Sequence, residues 1–396
     1  MSHYDFDRVI DRRGTDALKY DFAAENGMPE GLLPLWVADM DFQSPPCVGA
    51  VLEEIARKGI FGYTVPRKPY YDAVLSWYRT QFGWEADRRW VVRTSGVVFA
   101  IAAALEALTK PGDGVMIQPP VYYPFAQVIE KGGRKLVCSP LVLEQGQPDG
   151  QYRMNFAEIE EKMSSGQVKA FLLCSPHNPV GRVWTREELH RLGEICRAHN
   201  VLVISDEIHS DFIWGDRQHT IFATAGDGFD DFSVICTAPS KTFNLAGLQN
   251  ANIFIPNQKL RRQFRAVLDR MGAELQNQMG LAACRAAYES GLEWLDAVRH
   301  YIRDNIDYIG EYLRNNIPGI HMIDPEGTYL VWLDCRGLGL DDAALNRLIT
   351  EQAGLWLDAG SIFGVEGSGF QRINAACPRV ILQQAMEQLA SAVSAL

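Results

Sequence analysis

Short apolar runs alternate with stretches of helical spacing through the first two-thirds of the chain. Residues 90–93, 115–118, 170–174, 201–205 and 233–237 are nearly continuous apolar runs, the pattern of strands buried on both faces. Between them, 97–108 and 186–199 predict helices, and Thr185 with Glu188 has the spacing of a capping box at the start of the second. Strands and helices in alternation predict an α/β fold with a largely parallel sheet covered on both faces. From 258 to 315 the pattern is mostly helical. A smaller α+β region follows, with strands expected at 329–333 and 370–374 and a final helix from Arg379.

In such sheets ligands gather where the strands end at their carboxyl edges. The residues just beyond those ends are Thr94-Ser95-Gly96, Pro120-Val121-Tyr122, the turn from Ser175 to Asn178, Asp206 to His209, and Ser240-Lys241. The site is therefore expected there.

Composition narrows the chemistry. A formal net charge of −11 argues against a general grip on nucleic-acid phosphates, which requires clustered Lys and Arg. The segment Met1 to Gly14 is polar and charged, without the apolar stretch of a secretory signal. No apolar run approaches the roughly 18–20 residues that cross a bilayer. The eight cysteines are scattered singly, with no C-x-x-C pair, and read as reduced core thiols. The cytoplasm is the expected compartment. There is no internal repeat, no G-x-G-x-x-G, no Walker loop, no H-E-x-x-H and no G-x-S-x-G, which weakens dinucleotide, P-loop, zinc-protease and serine-hydrolase readings.

What remains at the strand ends is one lysine, one aspartate, one asparagine, one aromatic and a glycine turn. Lysine is usually a solvated surface charge, but Lys241 follows an apolar strand and a hydroxyl residue, in the run Thr237-Ala238-Pro239-Ser240-Lys241. A lysine among carbons and cations can lose its proton and form an imine. Asp206 ends the run Val201-Leu202-Val203-Ile204-Ser205 and reads either as a helix cap or as a carboxylate facing a pyridine nitrogen, where its charge would favour a protonated, electron-accepting ring. Asn178 reads as an ordinary turn residue or as an amide donor to a phenolate. Tyr122 reads as a core aromatic or as a ring stacked on a flat cofactor. Ser95-Gly96-Val97 opens a helix, and bare amides at a helix start bind phosphate.

Together these segments resemble the pyridoxal 5′-phosphate (PLP)-dependent enzymes of the aspartate aminotransferase fold, and within them the cystathionine β-lyase/C–S lyase branch of MalY and PatB type. The likeness runs nearly end to end. It is carried above all by Leu33-Pro34-Leu35-Trp36-Val37-Ala38-Asp39-Met40-Asp41-Phe42, Phe61-Gly62-Tyr63, Ser205-Asp206-Glu207-Ile208-His209 and Arg372-Ile373-Asn374-Ala375-Ala376-Cys377-Pro378. The resemblance implies a large domain over 46–288 built on a mostly parallel seven-stranded sheet, and a small α+β domain formed by 1–45 and 289–396.

The same resemblance implies the site. Lys241 carries PLP as an imine, Asp206 pairs with the pyridinium, Asn178 holds the ring 3-oxygen and Tyr122 stacks on the ring. Gly96 and Val97 amides and the Ser240 hydroxyl are similar to phosphate ligands. Arg372 matches the clamp for the substrate α-carboxylate, with Val37 and Ala38 beside the substrate. Tyr63 is similar to a tyrosine that reaches the neighbouring subunit's cofactor phosphate, which implies a homodimer. Three positions depart from the aminotransferase pattern. His209 stands where many members place a tyrosine against the ring oxygen. Ala238 replaces a second phosphate hydroxyl, and Gln249 occupies a place often given to a phosphate-binding arginine. The first puts the ring-oxygen contact in doubt; the others predict a less positive phosphate pocket.

The implied reaction starts from removal of the Cα proton of a bound amino acid by Lys241 and expels a thiolate from Cβ, releasing pyruvate and ammonia. Cystathionine, cysteine or a related S-substituted cysteine fits. An aminotransferase shares every step up to the carbanion and stays open as an alternative. So does a second role in which the same fold binds a protein partner.

Overall fold

The computed structural model describes residues 4–144, 151–273 and 275–396. Seven strands form the main sheet: β1 (Val91–Thr94), β2 (Gly114–Ile117), β3 (Lys135–Cys138), β4 (Val168–Cys174), β5 (Leu202–Asp206), β6 (Ser233–Thr237) and β7 (Ala251–Phe254), in the order β1-β7-β6-β5-β4-β2-β3. All neighbouring pairs are parallel except those of β7, which runs antiparallel to β1 and β6.

The apolar runs that predicted strands are buried on both sides for a visible reason. Along β4, Ala170, Leu172 and Cys174 enter one core, while Phe171 and Leu173 enter the other. Side chains alternate faces along a strand, so only a continuous apolar run serves a sheet covered twice. Helix α1 (Val97–Leu108) packs with α3 (Gln258–Arg270) on one face. On the other lies α2 (Arg186–Ala198), which starts with the expected capping box: Thr185 Oγ1 accepts from the Glu188 amide, and Glu188 reaches back to the Thr185 amide. Gly193 of α2 is a packing requirement, since a Cβ there would lie 2.0 Å from the Phe229 ring.

Two strands escaped the periodicity. β3 is an edge strand with only partial burial, and β7 (Ala-Asn-Ile-Phe) carries the polar Asn252, which accepts from the Tyr70 hydroxyl at 2.7 Å. The first expected strand also shifts. Trp90 belongs to a 3-10 turn, Arg88–Trp90, capped by the Asp87 carboxylate, and pairing runs on to Thr94 opposite Ala251.

Beyond α4 (Gln278–Ser290) and the long α5 (Leu292–Asn316), a second, antiparallel sheet forms from β8 (His321–Ile323), β9 (Leu330–Asp334), β10 (Asp358–Ala359) and β11 (Phe370–Asn374), in the order β8-β9-β11-β10. The closing helix α6 (Arg379–Ser394) packs on α5. Among the described residues, no helix is long and apolar enough to cross a membrane.

Candidate functional site: a lysine, two carboxylates and an arginine around one cavity

The carboxyl ends of β4, β5 and β6 converge with β11 of the second sheet on a cavity of about 200 Å³. Val37, Ala38, Val97, Tyr122, Asn178, Asp206, His209, Lys241 and Arg372 all line it, so nine of the positions expected from sequence meet here. Gly96 and Ser240 adjoin lining residues without lining the cavity themselves, and Tyr63 lies outside it.

Lys241 sits in the short helix Pro239–Thr242 that follows β6, and its Nζ donates to the Ala38 carbonyl at 2.6 Å. Burial lowers its pKa to about 8; Asp39 and Asp206 oppose that effect and Arg372 adds to it. A lysine near neutrality is a usable base and nucleophile. Asp206 is the last residue of β5, paired between Cys174 and Cys236, and not the cap of a following helix: Oδ1 accepts the Ile208 amide, at 3.2 Å, in a turn. Burial raises its pKa to about 7, against the lowering effects of the Ile208 amide and Lys241. A cationic partner in the cavity would restore its charge.

Arg372 on β11 is buried and heavily engaged. It donates to Asn178 Oδ1 (2.9 Å) and the Trp36 carbonyl (2.8 Å), and pairs with Asp358 of β10, while its Nε is buried without a hydrogen-bond partner among the described residues. With Oδ1 occupied, the amide nitrogen of Asn178 is the end left to act as donor. His209 is also buried, its Nδ1 has no partner among the described residues, and burial followed by Lys241 and Arg372 holds its pKa well below the usual imidazole range. It is therefore neutral.

One end of the cavity is set by α1. Gly96 precedes the helix in extended conformation, with no side-chain cap, so the first-turn amides lack intrahelical partners. An added Cβ at Gly96 would meet nothing within 4 Å, which is open room beside those amides. Val97 and Val98 line the cavity at this point. Gln249 is exposed and lines no part of it.

The segment 36–42 forms the roof and is lashed down from three directions. Asn374 Nδ2 donates to the carbonyls of Val37 and Asp39, each at 2.7 Å; Asn244, three residues after Lys241, bonds Met40 and Phe42; Lys19 meets Asp41 at 2.6 Å. These bonds explain why three distant runs, around Trp36, Asn244 and Arg372, must occur together.

Sequence reasoning missed Asp358 and Tyr123. Burial raises the pKa of Asp358, and Arg372 opposes it. The signal was available: Leu355-Trp356-Leu357-Asp358 is an apolar run ending in an acid, the pattern that singled out Asp206. Tyr123 hid behind Tyr122; its phenol pKa is raised by burial and by Asp358, so it stays protonated.

A doubly covered sheet with a half-buried lysine and an acid at its strand ends defines a class, and the chain belongs to the aminotransferase class I and II family, whose model matches residues 32–389. Within it, the chain is 42% identical to cystathionine beta-lyase PatB of Bacillus subtilis (strain 168), over 98% of this chain and 100% of that one. Protein MalY of Escherichia coli (strain K12) is 35% identical over 99% and 100%. The crystal structure of cystalysin from Treponema denticola, which contains a pyridoxal 5′-phosphate cofactor, superposes with a TM-score of 0.95 at 36% identity, covering 99% of both chains.

Proposed function

We propose that this chain is a PLP-dependent carbon–sulfur β-lyase that cleaves cystathionine or a related S-substituted cysteine to a thiol, pyruvate and ammonia. The observation that carries it is Lys241, with its pKa lowered to about 8, facing one cavity with Asp206 and Arg372. Similarity to cystathionine beta-lyase PatB supports the lyase over the aminotransferase reading.

The cavity fits PLP on its own chemistry. Lys241 would hold the aldehyde carbon, Asp206 the ring nitrogen, and the Asn178 amide with the orphaned His209 Nδ1 faces the polar edge. Tyr122 would flank the ring, and the open amides after Gly96, with Ser240, would hold the phosphate. When bound, PLP supplies an electron sink for the charge left at Cα.

The remaining work belongs to the chain. The Arg372 fork, with its unpartnered Nε, binds the α-carboxylate and fixes which Cα bond faces Lys241. The Lys241 amine removes the Cα proton. Asp206, ionised beside a cation, stabilises positive charge at the ring nitrogen. Loss of the Cα proton lets the Cβ–S bond break with both electrons on sulfur, and water converts the three-carbon remainder to pyruvate and ammonia. Tyr123 offers a protonated hydroxyl in the same space.

Two units, 46–288 and 1–45 with 289–396, fit the two sheets that meet at this cavity. A homodimer fits the segment around Tyr63: Tyr63 is 96% exposed, and Ile60 and Phe61 beside it are also exposed, an apolar surface suited to burial against a second copy. The amino-acid substrate is small; no nucleic-acid or membrane partner enters the reading. Eight free thiols suit the reducing cytoplasm.

Incubating the purified protein with cystathionine, without added keto acid, tests the reading by pyruvate release. Turnover that appears only with a keto acid would replace it with transamination. The Lys241→Ala protein should lose both turnover and the borohydride-reducible attachment of PLP.

A further inference from the structure

A second cavity, of about 360 Å³, shares Trp36, Tyr123 and Asp358 with the catalytic one. Residues within 346–350 also line it, where a helix, Asp342–Arg347, passes into a π-helical turn, Leu348–Gln352. Such turns are rare and concentrate at functional sites. Three features give this space a character of its own. Trp36 and Trp356 stack at 4.5 Å and 11°, with Trp356 buried, and offer an apolar face. Asp358 is the one carboxylate lining the space among the described residues, and it is already paired with Arg372. Arg347 is exposed and makes no ion pair among the described residues.

We propose that this second cavity receives the far end of a two-headed thioether amino acid, with Arg347 binding its distal carboxylate. This deepens the lyase reading and rests on it. The near end of such a substrate is fixed by Arg372, so the part beyond sulfur extends away from it. The shared boundary at Trp36, Tyr123 and Asp358 is where the two spaces adjoin. The methylenes beyond sulfur then lie against the indole pair. The unpaired guanidinium of Arg347 suits the distal carboxylate. Small S-alkyl cysteines lack that second head and gain nothing from Arg347. Cystathionine-class substrates are thereby selected over them through binding, not through the chemical step.

The test compares cystathionine with S-methylcysteine on Arg347→Ala, which leaves the catalytic cavity intact. Pyruvate release should show KM for cystathionine raised about fivefold with kcat unchanged, the worth of a partly exposed ion pair. Values for S-methylcysteine should not move, and Arg347→Lys should recover most of the loss. Calorimetric titration of cystathionine into the PLP-supplied Lys241→Ala protein, with and without Arg347→Ala, reads the same contact without turnover and should show a similar loss of affinity. An unchanged KM for cystathionine, or an equal rise for both substrates, overturns the subsite. If no thioether yields pyruvate, the lyase reading fails, and the calorimetric pair still decides whether Arg347 grips the distal carboxylate.

Discussion

Asn374 is the sharpest place to break the site without touching it. Its side chain is fully buried and makes three bonds: Nδ2 to the Val37 and Asp39 carbonyls, and Oδ1 from the Ala376 amide at 2.8 Å. Asn374→Ala strands all three backbone groups. The two carbonyls are partly buried and water can reach them, so each costs about 1 kcal/mol; the Ala376 amide is buried and costs about 2 kcal/mol. The expected loss is therefore about 4 kcal/mol, read as a lower urea midpoint at an unchanged m-value. The roof it releases includes Ala38, whose carbonyl accepts from both Lys241 Nζ and the Tyr329 hydroxyl at 2.9 Å. Turnover should fall with stability, even at temperatures where the variant is fully folded. Asn374→Asp keeps an acceptor for Ala376 but sets a buried carboxylate oxygen against the two roof carbonyls, so it should be at least as unstable as Asn374→Ala and equally inactive. A loss under about 1 kcal/mol for Asn374→Ala, or full activity in Asn374→Asp, would refute the view that this side chain positions the roof.

Three further outcomes follow from the same geometry. In protein stripped of PLP, Asp206 binds its proton more tightly when folded (about 7) than unfolded, so its contribution to stability falls as pH rises through roughly 4 to 7; Lys241 binds its proton less tightly when folded (about 8), so its contribution rises with pH through roughly 8 to 10.5. Unfolding curves against pH should lose the first slope in Asp206→Asn and the second in Lys241→Met, and a slope that survives its substitution rejects that assignment. Arg372→Lys keeps a charge for Asp358 but removes the planar fork, so kcat/KM for cystathionine should fall by about 100-fold or more in steady-state assays, most of it in KM. Gly193→Ala should destabilise the protein by about 1–3 kcal/mol in urea through overlap with Phe229, leaving kcat of the folded protein unchanged.

Much of the fold was readable because the main sheet is buried on both faces. That demand writes continuous apolar runs into β2, β4, β5 and β6, and helical spacing into α1 and α2. Edge and polar strands carry no such constraint, which is why β3 and β7 left no mark. The strand-end rule then found Lys241, Asp206, Asn178 and Tyr122 before any likeness was considered, because each stands at the end of an apolar run or a few residues beyond it. The roles of Arg372, Val37 and Ala38 came only from resemblance, since nothing local distinguishes them.

By itself, the order of apolar and polar residues determined the layered α/β architecture and the edge of the sheet where chemistry had to sit, because burial acts on each short segment separately. Only the tertiary structure decided how Lys241 and Asp206 are tuned. Their pKa values move because burial strips water from groups brought together from distant parts of the chain. It also decided that Arg372 would be braced by Asp358, that Asn374 would hold the roof, and that a second cavity would open beside the first. Desolvation and charge coupling depend on distance in space, and separation along the chain does not encode that distance.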